Sequence, residues 1–292
     1  MSNAIDEVPE WLRELCQRLQ SEDKAMLKVI NLNIRRVNYP MMAALCDVLR
    51  YSEDLQSLNL TSSLVDRLNM TSSQVIEPLI DSVLCSATCL LQILHLSYNK
   101  ITGPLNGIGK ALSVNRSLKE LYLDHNRIDC TTAEELAIGL RSNETLQVLQ
   151  LSSNLIGDEG ASHLASALKY NQSLRTLGLS RNFIGDNGAQ AFVDALWKYK
   201  NTSMTVLDLQ NNPSVGLSVL GWVESLCDAN AHGRKILLYD MDSIPGLGAY
   251  LLARNAPSVI FLFLQEVQSI VPSSSLERSA TTASSPKKKA RC

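Results

Sequence analysis

Leu146-Gln-Val-Leu149-Gln-Leu151-Ser-Ser-Asn154 is followed 28 residues later by Leu174-Arg-Thr-Leu177-Gly-Leu179-Ser-Arg-Asn182. Outward from this pair, the same spelling, Leu-x-x-Leu-x-Leu-x-x-Asn, starts at Leu91 and Leu118 before it and, with Met in first place, at Met204 after it. The starts lie 27, 28, 28 and 30 residues apart. In a short strand alternate side chains point to opposite faces. The fourth and sixth positions, Leu94/Leu96, Leu121/Leu123, Leu149/Leu151, Leu177/Leu179 and Leu207/Leu209, therefore enter a core. The ninth, Asn99, Asn126, Asn154, Asn182 and Asn212, stands where the chain turns away. Its amide both donates and accepts, and so satisfies backbone groups that a buried turn would strand.

The second half of each unit has a helical period. Ile108/Leu112, Leu136/Leu140, Leu164/Leu168, Phe192/Leu196 and Trp222/Leu226 are i, i+4 pairs on one face. Ala133, Ala137, Ala161, Ala165, Ala167, Ala189, Ala191 and Ala195 let successive helices lie close. A strand-turn-helix unit repeated at this period is the mark of a leucine-rich-repeat array. Asn154 to Ala161 and Asn182 to Ala189 share the spelling Asn-x-Ile-Gly-Asp-x-Gly-Ala, which resembles the ribonuclease-inhibitor-like subclass. The resemblance implies an α/β horseshoe, a curved solenoid with parallel strands on the concave face and helices on the convex face.

Toward the N-terminus, Pro9 to Leu19 reads as an amphipathic helix with Trp11, Leu12, Leu15 and Leu19 in one stripe. We assign residues 1–26 to a capping helix that covers the open end of the core. Two weaker units follow, with Leu27, Ile30 and Leu32, then Leu55, Leu58 and Leu60. Their ninth positions are Arg35 and Ser63, so those turns need another donor. The second unit is long. Its excess lies around Thr61 to Ser73, ahead of a helix carrying Ile76, Ile80 and Leu84. Beyond Leu209 one unit starts near Arg234 with Leu237, Tyr239 and Asp242, and a last has Val259, Leu262 and Leu264. The solenoid thus spans 27–270 in about nine units, five of them in full spelling at 91–230. From 271 to 292 Ser, Thr, Ala and Pro dominate, and a disordered basic tail is expected.

Formal charge is −2, from 27 bases and 29 acids. Leaving out the residues after Ile270 removes one acid and five bases, so the body holds 22 bases against 28 acids. That net −6 is opposite to what nucleic-acid binding favours, and no nucleic-acid partner is expected. No apolar run approaches the ~20 residues that span a bilayer. The acidic start (Asp6, Glu7, Glu10) lacks the features of a secretory signal. Seven scattered cysteines fit a reducing compartment. The expectation is cytoplasm and/or nucleus, not secretion.

Several features imitate chemistry. Gly103 to Lys110 departs from a phosphate-binding loop, with Ala111 where Ser or Thr is required. Cys85 and Cys89 lack the further ligands a zinc site needs. Asn115, Asn143, Asn171 and Asn201 open Asn-x-Ser/Thr triplets at the repeat period, and so read as a left-handed turn after each helix rather than as glycosylation sites. No catalytic residue, metal site or cofactor is assigned.

Function is sought on the outward strand positions. Stacked units align Asn31, Asn59, His95, Tyr122, Gln150, Gly178 and Asp208, flanked by a row with Ser97 and Asp124 and another with Tyr98, His125 and Arg181. Candidate partner-binding residues on the concave face are His95, Tyr98, Tyr122, Asp124, His125, Gln150, Arg181 and Asp208, since aromatic side chains beside charges make binding hot spots. The expected function is a non-catalytic scaffold or adaptor for another protein. In the tail, Lys287, Lys288, Lys289 and Arg291 resemble a nuclear-localisation signal, which implies a nuclear import receptor as a second partner. The alternative is a small-GTPase regulator resembling the Ran GTPase-activating protein, which uses this repeat subclass. That family carries an acidic C-terminal segment, whereas this tail is basic.

Overall fold

The computed structural model describes residues 8–20, 27–52, 54–64, 71–86, 88–105, 107–197, 201, 203–212 and 235–237. Among these, eight three-residue strands form one parallel sheet in chain order. They are β1 (Val29–Asn31), β2 (Ser57–Asn59), β3 (Ile93–His95), β4 (Glu120–Tyr122), β5 (Val148–Gln150), β6 (Thr176–Gly178), β7 (Val206–Asp208) and β8 (Lys235–Leu237). The helices are α1 (Glu10–Gln20), α2 (Tyr39–Leu49), α3 (Ser72–Pro78), α4 (Ile108–Val114), α5 (Cys130–Leu140), α6 (Asp158–Leu168) and α7 (Asp186–Trp197). All described residues belong to one compact unit, 1–240; the other, 241–292, lies outside them.

Registry follows the leucines. Ile30, Leu58, Leu94, Leu121, Leu149, Leu177 and Leu207 pair in line across β1 to β7 and are all buried. Every sixth-position leucine from Leu32 to Leu209 is buried behind them, with Ile101, Ile128, Ile156 and Ile184 after the turns. Helices pack roughly 8–10 Å apart, whereas strands lie roughly 4.7–4.9 Å apart. The sheet therefore takes the inner side of a curved α/β solenoid. Alanine allows part of the close helix packing; glycine allows the rest. A Cβ on Gly109 would lie 2.4 Å from the Glu135 carbonyl oxygen, so α4 and α5 approach backbone to backbone.

Two ladders of buried asparagine hold the units together. In the first, each ninth-position amide donates to the sixth-position carbonyl of its own unit and of the unit before: Asn126 to Leu123 (2.8 Å) and Leu96 (3.0 Å), Asn154 to Leu151 (2.9 Å) and Leu123 (3.0 Å). Its oxygen accepts from the previous turn, as Asn126 does from Asn99 N (3.0 Å) and Ile101 N (3.1 Å). In the second ladder, Asn115, Asn143, Asn171 and Asn201 donate to Leu84, Leu112, Leu140 and Leu168, capping the helix one unit back. Their oxygens accept from Leu118, Leu146, Leu174 and Met204 N at the next strand entrance. This corrects the left-handed turn expected there. Asn115 is extended (φ −66, ψ 134), and its side chain rather than its backbone does the capping. Left-handed backbone falls instead on the eighth position, at Tyr98, His125, Ser153, Arg181 and Asn211.

Three further expectations need correction or fall outside the described residues. The segment carrying Ile76, Ile80 and Leu84 is not one α-helix: after Pro78 it widens into a π-helical stretch, Leu79–Leu84, where Cys85 N donates to Ile80 O. Proline removes a donor from the helix interior, and the bonding pattern shifts directly after it. In β8 it is Ile236 that pairs with Leu207, not Leu237, so the unit expected near Arg234 is framed one residue too late. Period-two alternation makes a one-residue slip exchange the two faces. Trp222/Leu226, the unit at Val259 to Leu264, the tail and the middle of the 61–73 excess (65–70) lie outside the described residues.

At the N-terminal end α1 packs on α2, with Leu12 and Leu19 buried, Trp11 and Leu15 half-buried, and the Arg35 guanidinium 5.4 Å above the Trp11 ring.

Candidate functional site

The site is built on β3 and β4. Sheet registry sets His95 beside Tyr122, and their rings stack 4.4 Å apart at 15°. Three residues further along each chain, Tyr98 and His125 stack 4.1 Å apart at 10°. Both members of this second pair have positive φ, 61° and 53°, a conformation uncommon for bulky residues. Interstrand bonds beyond the formal strands hold it: Tyr98 N donates to Asp124 O and His125 N to Ser152 O, each at 2.9 Å. Tyr98 keeps 54% of its surface open to solvent.

Asp124 lies between the two stacks in sequence and on the same face. Its carboxylate accepts from Ser152 N at 2.9 Å and weakly from Ser97 Oγ at 3.5 Å. Burial pushes its pKa above the usual carboxylate value, and those hydrogen bonds only partly oppose the shift. His95 is held below 6.5 by burial, with Glu120 and Asp124 pulling the other way. Tyr122 is pushed up to about 12, first by burial and then by its 2.8 Å hydrogen bond to Glu120 Oε2.

Glu120 belongs to the site although the sequence reading passed over it. It sits two residues before Tyr122 on the same strand, and i, i+2 positions share a face. That spacing was the available signal. Ser57, Ile93, Val148, Thr176 and Val206 continue its row, so Glu120 is flanked directly by Ile93 and Val148 in a mixed margin beside the polar centre.

Of the eight candidate residues, His95, Tyr98, Tyr122, Asp124 and His125 come together on two adjacent units. Gln150 is next in line, and its amide leans over Gly178, where an added Cβ would sit 1.7 Å from Gln150 Oε1. Arg181 and Asp208 do not join the cluster. Asp208 is four strands from His95 in the registry, roughly 19 Å at the usual strand spacing. Ser97, expected to face outward, is buried beneath its neighbours. Among the described residues no group of three or more His, Cys, Asp or Glu is disposed to hold a metal ion. Among the same residues no helix is long and apolar enough to cross a membrane. Cys85 and Cys89 are half-buried against the core.

Family models described as Leucine Rich repeat match residues 114–137, 142–165 and 170–193, and a related Leucine Rich Repeat model matches 90–111. With the registry above, these matches show leucine-rich repeats over residues 90–193, the stretch that carries β3 to β6, α4 to α6 and the start of α7. No curated protein matches the sequence. Similar solved structures include actin-binding site 2 of leiomodin-1, at 16% identity and a TM-score of 0.34, covering 77% of this chain and 91% of that one. The tropomodulin C-terminal domain of Caenorhabditis elegans is similar at 18% identity and 0.38, covering 65% and 93%. The TLR13–ssRNA13 complex is similar at 23% identity and 0.33, covering 61% of this chain and 20% of that one.

Proposed function

We propose that the protein is a non-catalytic scaffold that docks another protein on the concave sheet face, centred on the His95/Tyr122 and Tyr98/His125 stacks. The juxtaposition of those two ring pairs around Asp124, facing away from the core, carries the reading. Extended concave surfaces are what repeat arrays use to bind. Stacked rings present large, pre-ordered area at low entropic cost, and aromatic residues dominate interface energetics. Gln150 extends the patch along the array, with Arg181 and Asp208 as its far margin.

Affinity capture with the wild type and with Tyr98→Ala/Tyr122→Ala tests this. The partner recovered by the wild type is expected to drop at least about tenfold with the double variant, as for loss of a hot spot. Equal recovery contradicts the reading.

Residence in cytoplasm and/or nucleus is part of the same proposal, with Lys287, Lys288, Lys289 and Arg291 binding an import receptor. A reporter carrying residues 271–292 is expected to concentrate in nuclei; even distribution removes the tail from the account. The small-GTPase alternative finds no support in the matched families or structures.

A further inference from the structure

The edge of the sheet where strands begin differs in chemistry from the concave centre. There the chain passes from each helix C-terminus into the next strand, over residues 115–119, 141–147 and 169–175 in three successive units. These segments hold five bases, Arg116, Lys119, Arg141, Lys169 and Arg175, and one acid, Glu144. At the opposite edge, the helix starts carry Asp129, Asp158, Glu159 and Asp186. Helix dipoles explain part of this polarity, since bases suit C-termini and acids suit N-termini. They do not explain Lys119 and Arg175, which stand immediately before β4 and β6.

Between the second and third segments lies a groove of about 510 Å³ lined by Arg141, Glu144, Gln147, Tyr170, Ser173 and Arg175, among others. The Arg141 guanidinium rests 4.7 Å above the Tyr170 ring, which orders it without neutralising it. Tyr170 is 62% exposed. Neither Arg141 nor Arg175 forms an ion pair with a carboxylate of the described residues.

We propose that this groove is a second docking site, independent of the concave centre, and that it takes the carboxylate side chains of an acidic segment on a partner protein. Guanidinium forks match carboxylates with paired hydrogen bonds. Tyrosine beside arginine is the composition of an interface hot spot. A nucleic acid fits less well. Its charge recurs about every 1.7 Å, so a bound strand would meet the body's excess of six acids over bases. A short acidic peptide senses little beyond the roughly 8 Å screening distance.

Fluorescence anisotropy on the full chain tests the proposal. The probes are a labelled peptide of roughly ten residues alternating Glu and Gly, its Gln–Gly counterpart, and an oligothymidine of equal length. The Glu peptide is expected to bind and the Gln peptide not. Arg141→Gln/Arg175→Gln should weaken binding at least about tenfold, while Lys100→Gln/Arg127→Gln, the same charge change at the other edge, should alter it less than about twofold. Tyr170→Ala, with both arginines kept, should weaken it too. All five substituted residues are exposed, so the variants are expected to fold alike. No binding of the Glu peptide, equal binding of the Gln peptide, equal loss in both double variants, or tighter binding of the oligonucleotide each overturns it.

Discussion

The first two units and the five that follow solve one problem differently. From Asn99 to Asn212 a single buried amide satisfies the turn of its own unit and that of its predecessor. In the second unit Ser63 stands in that place. Its hydroxyl donates back to Leu32 O, and Asn99 Oδ1 takes up both Ser63 N and Leu64 N at 2.8 Å. In the first unit Arg35 offers only its backbone N–H to Leu32 O, and its side chain lies over Trp11. An asparagine that reaches both ways makes interior units interchangeable. A serine hydroxyl has one proton to share between Leu32 O and Thr61 O, so it satisfies fewer groups than an amide.

Graded substitutions sharpen that contrast. Asn126→Ala strands partners on two turns at once and is expected to cost about 3 kcal/mol, read as a shift in the urea midpoint. Asn143→Ala, in the second ladder, leaves Leu112 O and the Thr145 and Leu146 N–H groups unpaired, for about 2 kcal/mol. Ser63→Ala removes one short reach and is expected to cost only about 1 kcal/mol. Equal losses at Asn126 and Ser63 would break the distinction. The smallest effect concerns His95. Its folded pKa lies below 6.5, so the unfolded chain binds its proton more tightly. Its stabilising contribution is therefore complete above 6.5 and is lost as pH falls through the folded value. An NMR titration of the His95 Cε1–H should give a midpoint under 6.5, and His95→Gln should flatten the stability profile in that window. Asp124 acts with opposite sign at lower pH: its folded pKa is raised above 3.8, so its cost grows as pH climbs through that interval.

The fold was legible because two periods, two and 3.6, alternate at a constant interval. That interval places His95 beside Tyr122 in the written order, and the registry reproduces the alignment residue for residue. What the pattern could not supply depends on backbone conformation or on neighbours. The left-handed residue sits at the eighth position, where Tyr98 and His125 give no sign of it, rather than at asparagines whose composition suggests it. Pro78 was visible, but not the π-helical register that follows it. At β8 the apolar run Ile236-Leu237-Leu238 admits two frames, and only pairing to Leu207 chooses between them. Glu120 was hidden because it precedes the paired leucines of its unit, while its role comes from accepting the hydrogen bond of the Tyr122 hydroxyl two residues on.

The inner, strand side and the outer, helix side make opposite claims on a partner. A photo-crosslinking residue placed at Tyr98 on the concave face, and separately at Ile138, 60% exposed on α5, sets them against each other. Crosslinks to the captured partner are expected from position 98 and not from 138. Crosslinks from 138 alone would contradict a concave docking face.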